Sequence, residues 1–277
     1  MYDAASLSES PTMQRAVGEL CVDLRVRDGS TVIENLRQSG CLKARFPRPQ
    51  DAQWASVVTL NTSGGIAGGD ALDSAFAIRA GARATIAAQA AERFYRALPG
   101  SAPSRVRAHI TVADGAAAEW LPQETILFDR CALDRRLHVD LAANAWFLSV
   151  ESLIFGRTEM GEVVEHASLH DVIQLRRANR LLLHDAIRLN GEVSATLQRP
   201  AIANGARAVA TLVHVAPDAE AALAPLRNAL PQAGASAWDG MLVARILAPN
   251  GAALRQSVIA ALQVLRADRP LPRVWNC

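Results

Sequence analysis

Alternation of apolar and polar residues at every second position runs through the first three quarters of the chain, and it constrains the fold more than any other feature. In Val106-Arg107-Ala108-His109-Ile110-Thr111-Val112 and in Leu137-His138-Val139-Asp140-Leu141 the apolar residues take every second place. One face of each extended segment must then point inward and the other toward solvent. Further strands are expected over 19–26, 57–60, 76–79, 84–88, 125–128, 146–150, 172–175 and 208–215. The pairs Asp28-Gly29, Asp114-Gly115 and Asn190-Gly191 read as tight turns, so neighbouring strands are expected to be joined as hairpins. Helical spacing occurs only late. Asp218 is placed to cap a segment carrying Leu223, Leu226 and Leu230, which Pro225 should kink or restart. Asn250 precedes Leu254, Val258, Ala261, Leu262 and Leu265, an apolar stripe of helical period expected to pack on a sheet. The expected fold is therefore mostly β: a sheet scaffold of many hairpin-linked strands, with two α-helices in the C-terminal half. At 277 residues the chain is long enough to bury a sizeable core. Residues 1–13 are expected to form a disordered N-terminal tail, and 14–277 a single β-rich domain.

Charge and cysteine usage narrow the function classes. A formal net charge of +2 provides no field that would demand nucleic acid or an anionic membrane as a partner. No apolar run has membrane-spanning length, and Met1 to Ser10, which holds Asp3 and Glu9, lacks the basic and apolar regions of a secretory signal. Cys21, Cys41, Cys131 and Cys277 form no Cys-x-x-Cys pair, so neither a zinc knuckle nor a thioredoxin motif is available. A reducing, cytoplasmic setting is expected. Half the residues are hydrophobic, which suggests some apolar surface reserved for other proteins.

The run Leu60-Asn61-Thr62-Ser63-Gly64-Gly65-Ile66-Ala67-Gly68-Gly69-Asp70 carries the strongest local signal. Gly64, Gly65, Gly68 and Gly69 imply a shaped backbone turn with almost no side chains, and a carboxylate stands at its exit. Phosphate binding does not fit. A P-loop would need Lys where Asp70 stands, and no Gly-x-Gly-x-x-Gly spacing can be drawn. Asp70 is either a cap for a neighbouring backbone N–H or a functional carboxylate. Downstream, Glu119, Glu124 and Asp129 fall within one short segment around Pro122, and Glu151 precedes Phe155-Gly156-Arg157 and Glu162. Acids on rigid strands can bind a cation or act as an acid/base pair, or they can sit on a solvated edge. His166 and His170 would share a face on a helix, but on a strand they stand about 13 Å apart, too far to share one ion. The surrounding pattern is not helical. His184 reads as a core-edge histidine bonded to backbone, and no Gly-x-Ser-x-Gly nucleophile motif occurs.

Taken in order, four blocks closely resemble the urease accessory protein D family, UreD, also called UreH. They are the 60–70 glycine run, Glu92-Arg93-Phe94-Tyr95-Arg96, the 119–129 acidic segment, and Glu151 through Gly156-Arg157 to Gly161-Glu162. The ending Leu271-Pro272-Arg273-Val274-Trp275-Asn276 is similar to the family's terminus. The resemblance implies a mostly β fold with two helices. It also implies a non-enzymatic scaffold that, with UreF bound directly and the GTPase UreG through the complex, docks on apo-urease and passes nickel to it. No tightly bound cofactor is implied, only nickel in transit. Asp70, Glu119, Glu124, Asp129, Glu151 and Glu162 match the family's acids and are the candidate carboxylates of a nickel path. Oxygen ligands suit that task, because they hold Ni²⁺ less firmly than His or Cys clusters. The chain departs from the family pattern at Ala71, where many members carry Arg, and at Ala88-Gln89-Ala90-Ala91. Two rival readings stand beside this one: a metal-assisted hydrolase using Glu119, Glu124 and Asp129, and a docking protein that never touches nickel.

Overall fold

The computed structural model describes residues 14–48, 51, 53–157, 160–266 and 269–276, so the tail expected at 1–13 lies outside the described residues. In chain order the strands are β1 (Val17–Arg27), β2 (Ser30–Gly40), β3 (Leu42–Arg45), β4 (Ala55–Asn61), β5 (Ala71–Ile78), β6 (Arg83–Ala88), β7 (Glu92–Phe94), β8 (Ser104–Val112) and β9 (Ala117–Leu121). They continue with β10 (Thr125–Leu127), β11 (Ala132–Leu141), β12 (Trp146–Phe155), β13 (His166–Arg177), β14 (Arg180–Glu192), β15 (Ala208–Val215), β16 (Gly234–Trp238) and β17 (Met241–Ala248). Three short helices join them: α1 (Val193–Gln198), α2 (Leu223–Ala229) and α3 (Gly251–Leu265). The mostly β class read from the alternation is the observed one.

Two sheets face each other. One has seven strands in the order β14-β13-β11-β8-β5-β1-β2. The other has ten, with β16-β17-β15-β12-β9-β6-β4-β3 in sequence and the small strands β10 and β7 attached beside β12. The inner faces share one core that includes Val22, Phe76, Ile110 and Val139 from the first sheet and Val57, Ile86, Ala118 and Phe147 from the second. The outer face of the ten-stranded sheet is covered in turn by the helices. Leu254, Val258 and Leu262 of α3 pack with Leu148, Val150, Leu212 and Ile246. β15 is consequently buried at every position, whereas β11 alternates between buried and partly exposed residues, as a strand with one wet face must.

The strand linkage departs from the hairpin expectation. Asp28-Gly29 does join the antiparallel pair β1 and β2, and β13–β14 and β16–β17 are also hairpins. In the middle of the chain, however, successive strands alternate between sheets, and each strand lies parallel to the next one that returns to its own sheet. β5, β8, β11 and β13 are parallel neighbours in one sheet, and β4, β6, β9 and β12 in the other. Asp114-Gly115 therefore carries the chain from β8 in one sheet to β9 in the other. Asn190-Gly191 is not a turn, because it lies inside β14. A Gly-containing reversal shows where a strand stops but not whether its successor lies 5 Å away in the same sheet or 10 Å away in the facing one.

The helices follow their caps. The Asn250 side chain accepts the Ala253 N–H at 2.9 Å, and all five residues of the predicted stripe are buried. Asp218 precedes a 3₁₀ turn over Ala219–Ala222 without a side-chain cap bond, and the chain restarts as α2 with Pro225 in the first turn, where its missing N–H leaves no helical bond unmade. α1, six residues long, is too short to leave a periodic stripe and was not expected. No helix among the described residues is long and apolar enough to cross a membrane.

Candidate functional site

The four sequence blocks that carry the resemblance are far apart in the chain and converge on one place. Between β4 and β5 the glycine run forms a parallel bridge to β7 through Ile66 and Phe94, with Ile66 N–H donating to the Arg93 carbonyl at 2.8 Å and Tyr95 N–H donating to that of Ile66 at 2.8 Å. β7 pairs with β10, and β10 with β12. Two of the glycines are explained by what presses on them. Gly65 has φ +140°, and a Cβ there would meet the Tyr95 ring at 2.3 Å; at Gly68 a Cβ would lie 2.6 Å from Ser101 Oγ. Tyr95 in turn donates its hydroxyl to the Gly64 carbonyl at 3.0 Å and stacks edge-on against Phe128, which Arg157 covers at 4.3 Å.

Beneath this junction lies a cavity of about 280 Å³ between the sheets, lined among others by Gly64, Gly65, Glu92, Trp120, Arg135 and Glu151. Two of its lining residues, Arg135 and Glu151, belong to a buried charged cluster completed by Asp171. Arg135 of β11 donates to both oxygens of Asp171 on β13, at 2.8 and 2.7 Å, and to Thr125 Oγ1 at 2.8 Å. Arg135 Nη1 also lies 2.7 Å from Glu151 Oε2, an oxygen that is charge-paired in this way yet accepts no hydrogen bond among the described residues. The other oxygen of Glu151 accepts the Trp120 indole N–H at 2.7 Å. Burial pushes the Glu151 carboxyl above the ordinary carboxylate range, with Asp171 adding to the rise and Arg135 opposing it. Two acids beside it hold Arg135 firmly protonated against its own desolvation. Burial likewise raises Glu92, whose Oε2 accepts from Asn61 Nδ2 at 3.1 Å.

The other candidate acids occupy different surroundings. Asp70 is buried and spends its two oxygens on backbone, accepting Ala16 N–H at 2.9 Å and Ala67 N–H at 2.8 Å. That is the geometry of the turn-cap alternative. Glu119, fully buried, faces the helix layer. It is clamped by Arg266 at 2.8 and 3.1 Å, by Arg269 at 2.8 Å and by Thr85 Oγ1 at 2.6 Å. Glu124 pairs with Arg255 of α3 at 2.8 Å. Arg255 and Arg266 are rooted about 16 Å apart along that helix, so Glu119 and Glu124 are held by separate anchors rather than converging. Asp129 caps the His166 N–H at 2.9 Å, and Glu162 pairs with Arg157 at 2.7 Å. Among the described residues no group of three or more His, Cys, Asp or Glu is arranged to hold a metal ion. Burial pushes the Cys131 thiol up to about 12, so it offers no thiolate at neutral pH. His166 and His170 lie on β13, as expected, whereas His184 is exposed on the edge strand β14 rather than at the core edge.

Arg135 and Asp171 escaped the sequence reading, although the signal was present. Leu133, Arg135, Leu137, Val139 and Leu141 share one face of β11, and Leu169, Asp171, Ile173 and Leu175 one face of β13. A charge in an otherwise apolar register is a buried charge, and a buried charge needs a partner. Trp120, Arg255, Arg266 and Arg269 had no comparable local signal.

A family model described as UreD urease accessory protein matches residues 16–276. The chain is 44% identical over 265 residues to urease accessory protein UreD 3 of Bradyrhizobium sp. strain BTAi1, covering 94% of each chain. It is 47% identical over 248 residues to urease accessory protein UreD of Ruegeria pomeroyi, covering 89% of this chain and 95% of that one. It is also 44% identical over 271 residues to that of Dinoroseobacter shibae, with 96% and 94% covered.

Proposed function

Because the chain belongs to the UreD family of urease accessory proteins, we propose that it is a non-catalytic cytoplasmic scaffold that binds UreF directly, engages UreG through the complex, docks on apo-urease and conducts nickel to it. The observation that supports the nickel part of this reading is Glu151: a buried carboxylate on the wall of an inter-sheet cavity, with one oxygen that accepts no hydrogen bond. A divalent cation in that cavity would favour the ionised carboxylates of Glu151 and Glu92, releasing whatever proton burial had kept on them. Arg135 then competes with the metal for the same oxygen. That competition suits a conduit, which must release what it binds, and oxygen donors without a His or Cys cage favour release further.

Two measurements test this. In a strain lacking the gene, urease polypeptide should be present but nickel-poor and inactive; normal nickel content in the purified enzyme sinks the accessory role. Glu151→Gln, which keeps the volume and the Trp120 partner, should lower the nickel content of urease several-fold while UreF still co-purifies. Normal nickel loading by that variant would favour the docking-only reading. The hydrolase reading predicts turnover by the purified chain alone, and the separate anchoring of Glu119, Glu124 and Asp129 gives it no acid pair to work with.

A further inference from the structure

Neighbouring strands of the seven-stranded sheet align a row of imidazoles on its outer, wet face. His109 of β8 is the register partner of His138 on β11, His138 that of Gln174 on β13, and Gln174 that of His184 on β14. Register partners on paired strands point to the same side and stand about 5 Å apart. His109 and His138 are therefore neighbours on one face. Asp140 lies two residues beyond His138 and shares that face. A surface cavity of about 280 Å³ opens over them, lined by His109, His138, Val139, Asp140, Gln174 and Arg176.

Two donors of a metal site already stand together here. His109 Nε2 lies 2.8 Å from Asp140 Oδ2, and both side chains are about half exposed, so solvent and ions reach the pair. Zinc bonds of about 2.0–2.2 Å to imidazole nitrogen and carboxylate oxygen place the two donor atoms about 3–3.5 Å apart. An ion thus enters between them when the pair opens by less than about an ångström, with the imidazole proton carried on Nδ1 instead. His138 has not joined them. It faces Gln174, and the three side chains do not converge as they stand. Turning its ring toward the pair is a change between staggered rotamers on an open surface, which leaves the backbone untouched. The cations nearby oppose an ion only weakly. Arg107 and Arg136 are both spent on Asp134, at 2.5 and 3.4 Å, and Arg176 is exposed, where water and salt screen it.

We propose that His109, His138 and Asp140 bind a divalent transition-metal ion of the zinc type, with water in the fourth position and the ion itself drawing His138 away from Gln174. Two imidazoles and one carboxylate form the donor set of a three-ligand zinc centre with an open position. The site lies on the face turned away from the inter-sheet cavity and shares no residue with the nickel path.

Calorimetric titration with Zn²⁺ of the full-length chain, purified with UreF if it does not stay in solution alone, tests the proposal. The unmodified chain should bind one equivalent that His109→Ala, His138→Ala and Asp140→Asn each weaken by about tenfold or more, the least that loss of even an outer-shell partner of a metal typically costs. His184→Ala, at the far end of the same row, should leave that equivalent unchanged. Co²⁺ in place of Zn²⁺ should develop the intense visible absorption of a four-coordinate centre, and His138→Ala should abolish it. All four positions are partly or fully exposed, so the variants should fold. An absence of saturable heat with Zn²⁺ at about millimolar concentration, full binding in His138→Ala, an equal loss in His184→Ala, or a Co²⁺ complex with only weak six-coordinate bands would each overturn it. None of these readouts depends on urease activation.

Discussion

At the scale of single residues, what separates the candidate acids is how much of each carboxylate is already spent. Asp70 serves two backbone amides, so Asp70→Ala should destabilise the chain by about 1–3 kcal/mol, with Asp70→Asn recovering part of the loss. Urea unfolding checks this, and an unchanged midpoint would free Asp70 for another role. Glu119→Ala strands Arg266 and Arg269 and should cost about 3–5 kcal/mol, so a loss of urease activation in that variant speaks first about folding. Glu92 behaves differently. Its folded pKa is raised by burial, so the native state holds the proton to a higher pH than the unfolded chain does. The corresponding stability is present below the ordinary carboxylate range and is lost as pH rises through the folded value. Glu92→Gln should therefore flatten the fall in stability between acidic and neutral pH, measured as unfolding free energy across a pH series. The candidate acids were legible in the sequence, but the arginines that clamp Glu119 and Glu124 were not, because their pairings reach from residues 119–124 to 255–269.

Among the elements, strands with one wet face were the most legible. Alternation locates β1, β8 and β11 because burial of one face imposes it, and the stripe and cap locate α3. β2 was missed because none of its eleven positions is buried and there is no regular alternation to read: Ile33 and Leu36 are outward at 43% and 39% exposure. The C-terminal segment had no signal of its own either, yet it closes the helix layer. Trp275 is 3% exposed, donates its indole N–H to the Leu121 carbonyl at 3.1 Å, and its own carbonyl accepts from Arg255 at 2.7 Å. Gln123 binds the neighbouring Val274 carbonyl at 2.6 Å. Trp275→Ala should accordingly cost about 3–5 kcal/mol, several times the ~1 kcal/mol expected for loss of the Asn250 cap. Thermal unfolding of the two variants side by side checks the order, and a milder effect at Trp275 would mean that the segment is only draped over the sheet.

For the whole molecule, a net charge of +2, exposed Val17, Ile33, Leu36 and Leu181 and sheet edges at β2 and β14 that pair with no further strand among the described residues leave surface that invites association. The isolated chain is expected to aggregate or give low yield, and co-expression with UreF to rescue it by burying an interface of about 1,600 Å² or more. Sedimentation with and without UreF decides; a monodisperse monomer alone would count against an obligate partner. The alternation of central strands between the two sheets has one more consequence. The middle of the chain is wound like thread on a flat bobbin, each turn laid beside the last on both faces. No turn can be lifted out without disturbing its neighbours on both sides, so amides of β8 and β9 should exchange with solvent only when the whole winding comes undone, while the edge hairpins fray freely. An insertion at the Ala178-Asn179 hairpin tip then merely lengthens a loose end, whereas one at Asp114-Gly115 puts slack into the spool itself.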